Sequence, residues 1–256
     1  MGFNRFNSKN NGFTLAEVLI TLGIIGVVAA MTLPTLIQNQ QKRSLEVATQ
    51  KFYSTMSQAV KKYMADKGVD DLRNTPLASD NYSNDEGDYT DSSEAIASIR
   101  DFVTKYLKVV KECDHEANNC FAPVYKKWDG SAPDRNFNFT TDANWDMRRD
   151  YVLADGAVIR IGYHGTYAPI VLFVDINGKK GPNRVGHDLW LMDIFFDGVI
   201  EEFGVDPGCR GRIDEGTQCK NRDTHEIRES NFETCKNGFY GGCFGHFLEN
   251  NFKFDY

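Results

Sequence analysis

From Phe13 to Ile37 the chain is apolar at almost every position (F-T-L-A-E-V-L-I-T-L-G-I-I-G-V-V-A-A-M-T-L-P-T-L-I), and Glu17 is the one ionisable side chain in the run. At 1.5 Å per residue, about 25 residues outspan a hydrocarbon core of about 30 Å. A secretory signal has a shorter apolar region, about 7–15 residues, and ends at a small-residue cleavage site. Here a polar helical pattern continues through Gln38, Gln40, Lys42 and Arg43 instead. Leu45, Val47/Ala48, Phe52, Met56, Val60 and Tyr63/Met64 then recur at helical spacing, and Gly68 marks the stop. The pattern predicts one long helix, half suited to lipid and half amphipathic.

Beyond it, Asp70 to Ser92 is polar and rich in turn residues, which predicts an exposed loop. A second helix is expected from Ser92 or Ser93 through Val110, with Ile96, Ile99, Phe102/Val103, Tyr106 and Val110 on one face. Cys113 to Asp150 lacks a period and is aromatic, so it reads as an insertion that partly covers a sheet. Strands are expected in Tyr151–Gly162 around Asp155-Gly156, in Ala168–Ile176, and in Leu189–Phe196 with Val199–Phe203 around Asp197-Gly198. These make an antiparallel sheet of four or five strands on the long helix, an α+β fold. Val205 to Tyr256 shows no strong period, and disulfides are expected to stand in for a core there. The domain reading is 1–12 leader, 13–37 membrane-spanning part, 38–67 amphipathic continuation, 68–204 head and 205–256 cysteine-rich extension.

Charge and cysteines narrow the setting. The net charge is −7, although Arg5 and Lys9 precede the apolar run, so the rest of the chain is more acidic still. General nucleic-acid binding does not suit such a surface. Lys126-Lys127, Arg148-Arg149 and Lys179-Lys180 are isolated basic doublets that read as solvated turns. Cationic residues before the run keep that end in the cytoplasm and send the remainder to the oxidising side. The six cysteines fall in near pairs, Cys113/Cys120, Cys209/Cys219 and Cys235/Cys243, without C-x-x-C spacing. They read as three disulfides, near-neighbour pairing (Cys113–Cys120, Cys209–Cys219, Cys235–Cys243) being preferred among the connectivities six cysteines allow. Zinc would recruit His115, His225 or His246, whose spacing fits no standard ligand pattern.

A carboxylate at the start of a membrane-spanning helix costs on the order of 3 kcal/mol and calls for a partner. A short leader with Arg5 and Lys9, then Gly12-Phe13, then Glu17 four residues on, resembles the N-terminus of a type IV prepilin or type II secretion pseudopilin. Thr14-Leu15, Gly23 to Gly26, and Pro34, where filament-forming pilins commonly place a proline, extend the resemblance over about Asn11 to Gln41. It implies cleavage after Gly12 by a prepilin peptidase, methylation of the new N-terminus at Phe13, and local helix unwinding near Pro34 on assembly. It also implies pairing of Glu17 with the Phe13 ammonium of a neighbouring subunit. Such a pair adds little net stability but penalises wrong axial register. The implied partners are other pilin or pseudopilin subunits and an inner-membrane assembly platform. The implied location is a single-pass inner-membrane protein with a cytoplasmic N-terminus and a periplasmic head, then a pilus on the cell surface or a periplasmic pseudopilus. The series L-A-D-G, D-I-N-G-K-K-G-P-N, G-x-D and D-G is similar to a head-domain pattern of many bacterial pilin-like proteins.

Within that series, Asp175, Asn177, Asn183 and Asp188 offer oxygen ligands of the kind Ca²⁺ takes, and some pseudopilins hold calcium in a head-domain loop. The spacing departs from an EF-hand, and an Asn-Gly turn with Asp side chains capping backbone amides is the alternative. No other cofactor is required. There is no G-x-S-x-G, H-E-x-x-H or phosphate-binding glycine loop, so no enzyme is expected. His164 and His187 read as turn or packing residues. Two functions remain, a structural filament subunit and a minor pilin whose head acts as an adhesin or ligand-binding tip module.

Overall fold

The computed structural model describes residues 13–77, 93–113, 120–133, 149–163, 170–205 and 224–256. The readings at Gly12, the leader, His115, His164 and the Phe137–Trp145 aromatics lie outside these. Of the three expected disulfides, Cys113–Cys120 and Cys235–Cys243 are formed as paired from the sequence. The third expected pair, Cys209 and Cys219, lies outside the described residues.

The chain divides into two compact units, Met1–Ser44 and Leu45–Tyr256. Helix α1, Leu15–Lys67, contributes to both. In the first unit the apolar side chains of α1 are exposed all round, from Phe13 at 86 % and Leu15 at 78 % to Met31 at 74 %. This helix is long and apolar enough to cross a membrane. Two of its hydroxyls are satisfied locally: Thr21 Oγ1 donates to the Val18 carbonyl and Thr32 Oγ1 to that of Val28, both at 3.0 Å. Pro34 sits inside the helix.

The second unit is α+β. Within it α1 buries Glu46, Thr49, Phe52, Met56, Ala59, Val60, Tyr63 and Met64, a stripe at spacings of three and four. The helix ends in a Schellman motif, with Val69 N bonding the Met64 carbonyl and Gly68 N that of Ala65, both at 3.1 Å. After a short 3₁₀ turn, α2 spans Ser93–Tyr106 and packs Phe102 edge-on against Tyr63.

Among the described residues, six antiparallel strands run in simple meander order: β1 Val109–Cys113, β2 Arg149–Leu153, β3 Val158–Tyr163, β4 Ile170–Asp175, β5 Leu189–Ile194 and β6 Ile200–Glu202. The sheet is larger than the four or five strands expected. The added strand, β1, takes Val109 and Val110 from the expected second helix, which stops at Tyr106. Two consecutive β-branched residues lose rotamer freedom in a helix and suit a pleated edge. The β2–β3 turn carries Asp155-Gly156 and the β5–β6 turn Asp197-Gly198, as the dipeptides predict. Gly198 adopts φ +78, and a Cβ there would lie 2.7 Å from Met64 Sδ, so the turn tip rests directly on α1.

Strands β3, β4 and β5 are buried along their whole length, so both sheet faces are covered. Register puts Ile159, Val174 and Trp190 in one row and Arg160, Phe173 and Leu191 in the next. Trp190 stacks with Phe247 and Phe254, while Phe173 meets Tyr240 and Arg160 lies over Phe121. On the second face the buried Arg160 guanidinium holds Asp150 through two bonds of 2.7 and 2.8 Å.

The C-terminal segment is not coreless. It forms α3, Thr224–Lys236, and α4, Cys243–Glu249, and contributes Phe232, Phe244, Phe247 and Phe254 to the common core. The expectation fails because these helices are short and depend on a partner far along the chain as well as on the Cys235–Cys243 disulfide. That partner is Glu202, whose carboxylate accepts from Gly242 N and Gly245 N at 2.8 Å each. Gly242 is required there, since a Cβ would lie 2.0 Å from the Asn231 carbonyl oxygen. The chain end returns to α1, where Glu46 accepts from Lys253 Nζ and Phe254 N at 2.9 Å.

Burial pushes the Glu202 carboxyl up to about 8, against the lowering effect of its backbone donors. The folded state therefore binds more protons than the unfolded chain between about pH 4.5 and 8, and stability falls as pH rises through that window. Chemical denaturation at several pH values should show this decline, and Glu202→Gln should remove the part of it nearest pH 8.

Candidate functional site

Two places gather the residues singled out above, one in each unit. At the start of α1, Thr14 N and Thr14 Oγ1 both donate to Glu17 Oε2 at 2.8 Å, and Glu17 N donates to Thr14 Oγ1 at 3.3 Å. This is a capping box, T-x-x-E, in which each side chain satisfies a free amide at the helix end. The dipole of the first turn adds to its favour. Glu17 therefore has a partner inside its own chain, a signal that the T-x-x-E spacing carries and that the apolar run around it obscures. Its second oxygen, Oε1, has no partner among the described residues. Gly23 and Gly26 present open backbone, with nothing within 4 Å of a Cβ built at either.

The second place is the loop from Asp175, at the end of β4, to Asp188, just before β5. Its mouth is closed by Ile176 N bonding the Asp188 carbonyl at 2.9 Å. Asp188 accepts from Asn183 N at 2.7 Å and Arg184 N at 2.6 Å, and Asp175 from Asn177 N at 3.2 Å. The Tyr125 hydroxyl also donates to Asp175 and itself accepts from Ala122 N at 3.1 Å. Residues 120–133 are thereby fastened to the loop. Lys126 N bonds the Asn183 carbonyl at 2.8 Å, Val185 N that of Lys126 at 3.0 Å, and Arg184 Nε that of Trp128 at 2.7 Å. The Cys113–Cys120 disulfide fixes the base of this insertion, and the Tyr256 hydroxyl reaches the Gly186 carbonyl at 2.6 Å.

All four sequence candidates thus lie on one loop. Both carboxylates are fully buried, and burial raises them, Asp175 to about 7 and Asp188 to about 6, with the Asp188 charge adding to the rise at Asp175. Asn177 Oδ1 and Asn183 Oδ1 are buried acceptors with no donor. Two carboxyls raised by burial and two orphaned amide oxygens are a donor set that fits a hard divalent cation. The turn-capping alternative accounts for the carboxylates' amide bonds but leaves both asparagine oxygens unexplained.

His187 is a packing residue, its ring stacked on Phe254 with centroids 5.7 Å apart and Nδ1 at 3.2 Å from the Val185 carbonyl.

Comparison with known proteins bears on the segment that holds the first site. Residues 7–33 match the prokaryotic N-terminal methylation motif, and residues 35–161 match a family of unknown function, DUF6613. The type IV major pilin protein PilA of Myxococcus xanthus (strain DK1622) is 45 % identical over 42 residues. That match covers 16 % of this chain and 19 % of the relative's length. No solved structure matches. The N-terminal segment thus carries that methylation motif. It is similar to that of the major pilin in particular, and an α+β head accompanies it.

Thr14→Val should loosen the first turn of α1, at a cost of about 0.5–2 kcal/mol in helix-end stability. Hydrogen exchange of the full chain in detergent micelles would show faster exchange confined to that turn, and unchanged exchange would discount the box.

Proposed function

We propose that this protein is a membrane-anchored subunit of a type IV pilus or type II secretion filament, cut after Gly12 and methylated at Phe13. The observation that carries the reading is Glu17 in its capping box. One oxygen is held by Thr14 and the other is available on an apolar helix that buries none of its first-unit aliphatic side chains. A neighbour's Phe13 ammonium is the group of opposite charge that a filament brings to that depth. Paired there, two costly charges compensate each other, and subunits out of register leave both uncompensated in a low-dielectric medium. A prepilin peptidase and an inner-membrane assembly platform are the implied machinery. The N-terminus stays cytoplasmic and the head reaches the periplasm or cell surface.

A second reading, a minor subunit with a ligand-binding head, is favoured by the insertion and C-terminal helices built around the sheet. Both are pinned by a disulfide and by aromatic contacts that a plain spacer domain does not need. In either case the Asp175–Asp188 loop is a Ca²⁺ site. Asp175, Asn177, Asn183 and Asp188 supply the oxygens, and the ion's charge relieves the two buried carboxyls.

Glu17→Ala should reduce incorporation into sheared filaments far below wild type, while mass spectrometry of the wild-type filament protein should find Phe13 as its methylated N-terminus. Incorporation at wild-type levels, or an N-terminus at Met1, would sink the subunit reading. Separately, millimolar Ca²⁺ should raise the melting temperature of the full chain in detergent by several degrees, as expected for a ligand well above its Kd. The rise should vanish in Asn183→Ala; no rise in wild type dismisses the ion.

A further inference from the structure

Helices α3 and α4 bring together ligand-type side chains that the sequence keeps far apart. His225 and Glu229 are four residues apart on α3 and so share one face. Glu249, the last residue of α4, comes across to them, with its Oε2 3.0 Å from His225 Nδ1. One donor atom from each of the three residues lies within 4.8 Å of the other two.

The supports of this cluster are already in place. Arg228 Nη1 holds the other Glu249 oxygen at 3.1 Å and also grips Glu201 on β6, which fixes the Glu249 carboxylate. Glu229 Oε1 meets His246 Nδ1 at 3.0 Å, and the His246 ring is stacked on Phe232 with centroids 3.8 Å apart. The Cys235–Cys243 disulfide ties the two helices together, so the ligands cannot drift apart with them.

We propose that His225, Glu229 and Glu249 form a binding site for a zinc-like divalent transition metal, distinct from the calcium loop. One imidazole with two carboxylates is a donor set for Zn²⁺, whereas Ca²⁺ takes oxygen alone. Zn²⁺ ligands at about 2.0–2.1 Å stand about 3.3 Å from one another in tetrahedral geometry. The His225–Glu249 pair is already near that separation, and Glu229, whose side chain is half-exposed, closes the remainder by a rotation that exchanges its bond to His246 for the metal. The metal takes the place of the proton between His225 and Glu249, so acid competes with it. His225 is 64 % exposed. Three protein ligands therefore leave an outward position for water or for a donor from another protein. The site needs neither filament assembly nor calcium.

The test is titration of EDTA-treated full chain in detergent with Zn²⁺ by calorimetry and with Co²⁺ by visible absorption, both in millimolar Ca²⁺. Wild type should bind one ion per chain saturably, with a tetrahedral-type Co²⁺ spectrum. His225→Ala should weaken binding about tenfold or more without altering thermal unfolding in EDTA, because that ring is at the surface. Glu229→Gln should weaken it as well. Absence of saturable binding in wild type, or wild-type affinity in His225→Ala, overturns the proposal.

Discussion

A carboxylate withdrawn from water must be met by donors or by a cation, and this one constraint organises most of the polar architecture. Each withdrawn acid meets it differently. Asp150 is matched by the Arg160 guanidinium on the sheet face. Glu202 takes backbone amides from the start of α4, and Glu46 takes Lys253 and the Phe254 amide. Glu202 and Glu46 join segments 40 or more residues apart, while Asp150 and Arg160 clasp the two neighbouring strands of one hairpin. These acids therefore act as clasps, since moving any joined segment would orphan a buried polar group. The Asp175–Asp188 loop differs because its protein donors run out before its acceptors do. The chain itself leaves an unmet demand there, which the proposed calcium ion would meet.

The fully buried sheet explains why so much chain is spent on covering it. A meander with one solvated face would show alternating burial; β3, β4 and β5 show none. Phe121 and Tyr240 cover the Arg160–Phe173 row, and Phe247 and Phe254 the Trp190 row. Each of the two described disulfides sits where such a cover leaves or re-enters regular structure. Cys113 ends β1 and Cys243 begins α4. Cross-linking there limits the unfolded freedom of a cover that lacks an extensive hydrogen-bond ladder of its own.

What is legible in the sequence is what is local. Asp155-Gly156 and Asp197-Gly198 announce their turns because the turn chemistry resides in two residues. The stripe from Phe52 to Met64 announces its helix because the period lies within one segment. Strand β1 escapes notice because it exists through pairing with β2, Val109 opposite Leu153. Helices α3 and α4 escape it because Glu202, about 40 residues away, holds the start of α4. The candidate sites divide the same way. Glu17 stands out in an apolar run, whereas the Tyr125–Asp175 link joins residues 50 apart and the His225–Glu249 contact residues 24 apart.

The first-unit part of α1 makes sense only when its composition is weighed against what a solitary helix would select. Interior glycine costs about 1 kcal/mol against alanine and interior proline about 3 kcal/mol. Yet Gly23 and Gly26 touch nothing that a methyl group would displace, and Pro34 stands well inside the helix. In lipid, small residues let another helix approach closely, and packing is what drives association there. On the proposed filament reading, a carboxylate with one oxygen held and one available, on a helix that carries these costs without return in the single chain, is arranged for contacts that other chains supply. On that reading the stabilisation that offsets those costs lies in the contacts between subunits.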